Sequence, residues 1–248
     1  MKEEYISESQ VFHGEIPFVM GTKMEVLLVG VTESKGLHIW DQIHELALSL
    51  DRILNRFDPE SEVSRMNRSQ APLETVVSGE MEQIIRLARQ YNEKTCGLFD
   101  ICMSDGKLDF GGFGKGYFLK KCETMLRDAG IDCAFVDFGG SSILGIGRHP
   151  YGDCWKVGVV NPYTHSSIGE IALIDCSLST SGNTPSYTGH IRNPKTGEIC
   201  TSRKLTTVVS KNPLDAEVLS TVIMVASDEE RKEIFNNFSE SQIQLYNL

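Results

Sequence analysis

The sequence predicts an α+β protein, a mixed chain of two interlocked α+β halves. Three observations predict it. Strand-like and helix-like patterns alternate along the whole chain. No linker or shift of composition divides residues 1–248, which read as a single domain. A short echo, Asp109-Phe-Gly-Gly and Asp137-Phe-Gly-Gly, marks two glycine-rich turns, each after a strand-like run.

Each element has its own signal. Residues 24–31 are rich in β-formers and end near Gly30, which predicts a strand. Over residues 38–56, Ile39, Ile43, Leu46, Ala47, Leu50, Ile53 and Leu54 recur at steps of three and four, one face of a helix. Asp58-Pro59 closes that helix, because a residue before proline avoids the helical region. A second helix is expected over 79–95, capped by Ser78, with Gly97 past its end. A third runs over 115–130 and buries Phe118, Cys122, Met125, Leu126 and Ala129. Short β-like runs follow at 133–138, 156–160, 171–176 and 206–210. Asn212-Pro213 opens a helix through Ala226, since Asn caps well and Pro suits the first turn. A helix at 228–238 and a strand at 242–246 finish the chain.

Composition narrows the functional classes. With 40% hydrophobic and 23% charged residues, the chain can bury a sizeable core. Lys plus Arg is 24 and Asp plus Glu is 34, so 24 − 34 = −10. That charge repels a phosphate backbone, so no nucleic-acid partner is expected, although a local pocket for one nucleotide is compatible with it. No apolar run reaches the roughly 18 residues that cross a bilayer. The start, Met1-Lys-Glu-Glu-Tyr-Ile-Ser-Glu-Ser-Gln10, has neither an apolar signal core nor a Cys-led anchor. A cytoplasmic protein without a membrane anchor is therefore expected. The seven cysteines are scattered, odd in number and without a C-x-x-C. They read as reduced, mostly buried thiols, and zinc-ligand spacing is absent.

Three segments could carry chemistry. Leu108-Asp-Phe-Gly-Gly-Phe-Gly-Lys-Gly-Tyr117 runs straight into a helix. Its glycines let backbone approach a ligand, a helix start offers free N–H groups to an anion, and Lys115 adds a positive charge. It is neither a Walker A loop nor a clean G-x-G-x-x-G, so a tightly packed strand-to-helix turn is the competing reading. In Leu214-Asp-Ala-Glu-Val-Leu-Ser-Thr221, Glu217 and Thr221 are i and i+4 on one helix face, and Ser220 is at i+3. Such hard oxygen donors suit Mg²⁺, and a solvated Glu217 beside a packed Thr221 is the alternative. The loop from Thr180 to Gly197 is crowded with turn residues and carries His190, either an acid/base group or one more surface histidine. G-x-S-x-G, H-E-x-x-H and EF-hand patterns are absent, and the Asp-Phe-Gly triplets lack a kinase's other signatures.

Taken together and in order, five stretches resemble the FAD:protein FMN transferase (ApbE) family. Met20-Gly21-Thr22 before a strand is similar to its early M-G-T. Arg56-Phe-Asp-Pro-Glu-Ser-Glu-Val-Ser-Arg-Met-Asn67 resembles Y-D-P-x-S-E-x-S-x-x-N. Leu108 to Tyr117 resembles L-D-x-G-G-x-A-K-G-Y. Ser181-Gly182 and then His190-Ile-Arg-Asn-Pro-Lys-Thr-Gly197 resemble S-G followed by H-I-x-D-P-x-T-G. Asp215 to Thr221 resembles D-A-D-A-x-x-T. The matches run from Met20 to Ala226.

The resemblance implies an ApbE-like fold and a Mg²⁺-dependent enzyme with FAD as substrate. It implies transfer of FMN to a Thr or Ser hydroxyl of an acceptor protein, with release of AMP. By position, Asp109 and Lys115 would contact FAD, while Met20, Phe57 and Ile191 would line the flavin nucleotide pocket. Gly112 and Ser220 through carbonyls, and Glu217 and Thr221 through side chains, would hold the metal. His190 would be the acid/base group, with Asp215 as the other candidate. Three departures stand out. Glu217 replaces the usual Asp, and Phe57 replaces the usual Tyr. Only residues 101–107 stand where the family has a long insertion over the flavin. The flavin side is then open or completed by a partner subunit, which would make a homo-oligomer. A non-catalytic flavin- or nucleotide-binding relative and an FAD pyrophosphatase remain the alternatives.

Overall fold

A computed structural model of the chain describes residues 1–69 and 78–248. Its elements are β1 (Lys2–Ile6), β2 (Val11–Val19), β3 (Thr22–Val29), α1 (Glu33–Leu54), α2 (Glu62–Ser69), α3 (Gly79–Lys94) and α4 (Gly114–Asp128). Then come β4 (Ala134–Phe138), β5 (Ser142–Ile146), β6 (Trp155–Val160), β7 (Ser167–Leu173), β8 (Cys176–Gly182) and β9 (Lys204–Ser210). Last are α5 (Pro213–Val225), α6 (Asp228–Asn237) and β10 (Gln242–Asn247).

Eight strands form one sheet in the order β1-β2-β3-β4-β5-β8-β9-β10, and β6 and β7 form a separate hairpin. Every pairing is antiparallel. Alternation along the strands sets the two faces. Met24, Val26 and Leu28 on β3 stand opposite Phe138, Val136 and Ala134 on β4, and all six are buried. This face packs under α1, α4 and α5 and forms the main core. On the other face Ile143, Trp155, Leu173 and Leu178 form a smaller core, where β7 packs against β5 and β8. Strand β5, covered on both faces, is buried throughout.

All five expected helices are present, with sharper ends. Ser78 caps α3, Asn212 caps α5 ahead of Pro213, and Ser227 with Glu230 forms a capping box on α6. Helix α1 begins at Glu33, not His38, with Thr32 as its cap. Gly36 weakens the helical signal there. It is nonetheless needed, because a Cβ on it would stand 2.7 Å from the Phe12 ring.

Several elements went unread. Strands β1, β2 and β5 and helix α2 gave no separate signal. The expected strand over 171–176 is in fact the end of β7 and the start of β8, divided at Asp175, whose φ is +50°. All seven cysteines are free, but only Cys122 is buried, its thiol pushed up to about 12 by that burial; Cys102 is exposed. The expectation of mostly buried thiols therefore holds for Cys122 alone. No helix among the described residues is long and apolar enough to cross a membrane.

Candidate active site

The first glycine turn is held from both sides. Asn67 on α2 donates to the Leu108 carbonyl at 3.0 Å and accepts the Leu108 amide at 2.7 Å. Asp109 accepts the Gly111 amide at 2.9 Å, an Asx turn, and pairs with Arg56 at 3.2 Å. Arg56 also lies 4.7 Å from the centroid of the Phe57 ring, which is 81% exposed. Met20, in a left-handed conformation, is tied by its amide to Asp51 at 3.1 Å. Its methyl group reaches α4, 2.9 Å from where a Cβ on Gly114 would stand. Phe57, Asp109 and Met20 thus border the turn that opens α4. That helix has no side-chain cap and no acidic residue in its first turn, so its start favours an anion.

The two Asp-Phe-Gly-Gly turns meet at Lys115. The second turn joins β4 to β5 through Gly139 and Gly140, both left-handed. Lys115 Nζ, from the first turn of α4, donates to Ser142 Oγ at 2.7 Å, Ser141 Oγ at 3.2 Å and Glu217 Oε1 at 2.8 Å. Glu217 is buried on α5 and accepts at Oε2 from Ser142 at 2.5 Å and Ser179 at 3.0 Å. Helices α4 and α5 approach closely enough for this because residue 116 is glycine. A Cβ there would stand 2.4 Å from the Glu217 Cβ.

A row of hydroxyls continues from Glu217. Ser179 contacts Ser220 at 3.1 Å, Ser220 contacts Ser181 at 2.8 Å, and Ser181 contacts Thr221 at 2.9 Å. Thr221 Oγ1 lies 3.7 Å from where a Cβ on Gly112 would stand, so the glycine turn faces this row. Gly112, Glu217, Ser220 and Thr221 are therefore neighbours. One carboxylate with hydroxyl and carbonyl oxygens is a donor set of the kind Mg²⁺ takes. Among the described residues no three His, Cys, Asp or Glu side chains gather to hold a metal.

The remaining candidates lie apart from this cluster or at its margin. Ile191 is buried and accepts the Cys200 amide at 2.8 Å. Asn183, also buried, donates to the carbonyls of Cys200 and Ser202 and pins the base of the same excursion, which leaves β8 just after Ser181. His190, on that excursion, stacks on Tyr187 with centroids 4.1 Å apart. His190 is exposed, as a surface histidine would be, and partial burial of its ring pulls the imidazole below its ordinary pKa. Asp215 faces the other way on α5, two residues and some 200° from Glu217. It accepts from the Tyr91 hydroxyl and, at 2.9 Å, from Asn212. Burial raises its pKa, which the Tyr91 hydrogen bond opposes. Residues 101–107, in place of the long insertion, make a tight turn closed by a Cys102–Leu108 bridge and by Met103 N to Lys107 O at 2.7 Å.

Sequence reasoning missed Ser142 and Ser179. A signal for Ser179 was present in Cys176-Ser-Leu-Ser-Thr-Ser-Gly182, which places Ser177, Ser179 and Ser181 on one strand face. Splitting that strand at Cys176 hid it.

Comparison with known proteins agrees with the motif order. A sequence profile of the ApbE family matches residues 20–106 and 103–246. A protein of Klebsiella pneumoniae named FAD:protein FMN transferase is 21% identical over 87% of this chain and 79% of its own length. One of the same name from Escherichia coli K12 is 21% identical over 93% of this chain and 82% of its own. The flavin transferase ApbE of Vibrio cholerae shares the fold with a TM-score of 0.78 at 20% identity, over 96% of this chain and 93% of that one. The ApbE protein of Thermotoga maritima does so with the same score and identity, over 95% and 94%. The α+β class expected from the sequence is thus the observed one, and the chain belongs to the ApbE family.

Proposed function

We propose that this chain transfers the FMN half of FAD to a Thr or Ser hydroxyl of an acceptor protein and releases AMP. The observation that carries this reading is the meeting of Lys115, in an uncapped helix start, with the Glu217 and Thr221 face of α5. It occurs within the motif order of a family whose curated relatives are named FAD:protein FMN transferases.

In this reading the first amides of α4 and the Lys115 ammonium hold the pyrophosphate of FAD. Asp109 contacts the nucleotide, and Met20, Phe57 and Ile191 lie along its flavin half. Gly112 and Ser220 by their carbonyls, with Glu217 and Thr221 by their side chains, hold Mg²⁺, which when bound neutralises phosphate charge. The acceptor hydroxyl oxygen bonds to the phosphorus on the FMN side. The bond from that phosphorus to the bridging oxygen breaks, and AMP leaves with the bridging oxygen. His190 accepts the hydroxyl proton and passes it on to solvent or to AMP. Asp215 is the weaker candidate, because its carboxylate is engaged by Tyr91 and Asn212.

The test is chromatography of FAD incubated with the pure protein and Mg²⁺. AMP is expected, and faster when a flavin-acceptor domain is added. FAD that is bound but stays intact in every metal and acceptor trial would make the chain a non-catalytic relative. AMP and free FMN at a rate indifferent to the acceptor would make it a pyrophosphatase.

A further inference from the structure

Glu217 brings a single negative charge to the hydroxyl row, and both of its oxygens are already engaged. Oε1 takes Lys115 Nζ at 2.8 Å, and Oε2 takes Ser142 and Ser179 at 2.5 and 3.0 Å. Its side chain is 5% exposed and that of Lys115 22%, so water screens the pair poorly. The pair is neutral as a unit. Mg²⁺ gives up its water reluctantly and needs anionic oxygen to do so. A tethered ammonium competes for the carboxylate at high effective concentration. The remaining donors are neutral hydroxyls and carbonyls, which cannot make up the difference.

A diphosphate changes this balance, because it offers Lys115 a second anion. The ammonium sits in the first turn of α4, where the uncapped amides favour the same phosphate. Moving to the phosphate, it would free Glu217 Oε1, and the phosphate oxygens would themselves add anionic donors. We infer that Lys115 is the resident counter-ion of Glu217, that it excludes Mg²⁺ from the nucleotide-free protein, and that the nucleotide binds before the metal. This rests on the nucleotide placement proposed above and adds an order of binding and a second role for Lys115.

Mn²⁺ titrations of the full chain, followed by water-proton relaxation, test it, since that signal separates protein-held Mn²⁺ from free and nucleotide-chelated ion. The nucleotide-free wild type should give no enhancement, and ADP should produce it. Lys115→Met, checked for folding by circular dichroism, should bind Mn²⁺ without nucleotide at least tenfold more tightly than the wild type. It should also gain thermal stability from Mn²⁺ where the wild type gains none. Equal Mn²⁺ binding by the wild type with and without ADP would overturn the inference and leave the proposed metal site standing. A folded Lys115→Met that gains no affinity would overturn it as well. No enhancement with ADP present would overturn the inference and the metal site together. Should Lys115→Met not fold, the wild-type titrations alone decide.

Discussion

In the proposed reaction, proton transfer rests on His190. Its exposed ring stacks on Tyr187, and partial burial favours the neutral imidazole, the form that can accept a proton. His190→Ala should lower kcat by roughly 10²–10⁴ while the Kd for FAD changes little. The sign of the pKa shift sets the pH dependence. A histidine whose pKa is lowered in the free protein stays neutral further into acid, so the acid limb of kcat/KM should have its midpoint below about 6.5. An acid limb well above that value, or a loss of FAD affinity with kcat intact, would make His190 a binding residue. The same shift bears on folding. The unfolded chain takes up the proton first as pH falls, so the group costs stability below about 6.5, and the cost is complete below the folded pKa.

At the scale of elements, the site depends on how closely α4 and α5 approach. Glycine inside a helix is normally improved by alanine, by about 1 kcal/mol. At Gly116 the sign should reverse, because the added Cβ would stand 2.4 Å from Glu217 Cβ and 3.0 Å from the Pro213 carbonyl. Gly116→Ala should cost about 1–3 kcal/mol in urea denaturation. A stabilised variant would mean the helices are free to separate. The hairpin over 101–107 makes a second prediction. Closed by its own backbone bonds, it is too short to lie over an isoalloxazine ring, so affinity should come chiefly from the pyrophosphate end. Calorimetry should find ADP within about tenfold of FAD, and a preference for FAD of a hundredfold, about 2.7 kcal/mol, would show the flavin held by other parts of the chain.

Elements also mark how far local sequence can be read. Helices α3, α5 and α6 carry caps and a clear start, and their signals were plain. Strand β2 buries Phe12, Gly14 and Ile16 on one face and leaves Val11, His13 and Glu15 half-buried on the other, so no continuous apolar run announced it. Strand β5 is short and opens on Ser142, whose burial comes from partners far along the chain.

At the scale of the whole molecule, the site is assembled from remote segments. Lys115 and Glu217 are 102 residues apart, Ser142 and Glu217 75, and Ser179 and Glu217 38. The motifs named Gly112, Lys115, Glu217 and Thr221, because each lies in a short pattern with local chemistry. They could not name Ser142, which reaches Glu217 only because β5 and β8 are neighbours in the sheet and α4 and α5 pack on it. Nor could they foresee that Glu217 would be tied to Lys115, since that pairing depends on the close approach at Gly116.

The central claim is that this assembly joins flavin to protein. It is tested most directly by the intact mass of a flavin-acceptor domain after incubation with the pure chain, FAD and Mg²⁺. The account predicts that the acceptor gains one FMN less a water, through a phosphoester on a Thr or Ser, with one AMP released for each acceptor modified. An acceptor of unchanged mass, with FAD bound to the chain and intact, would contradict it.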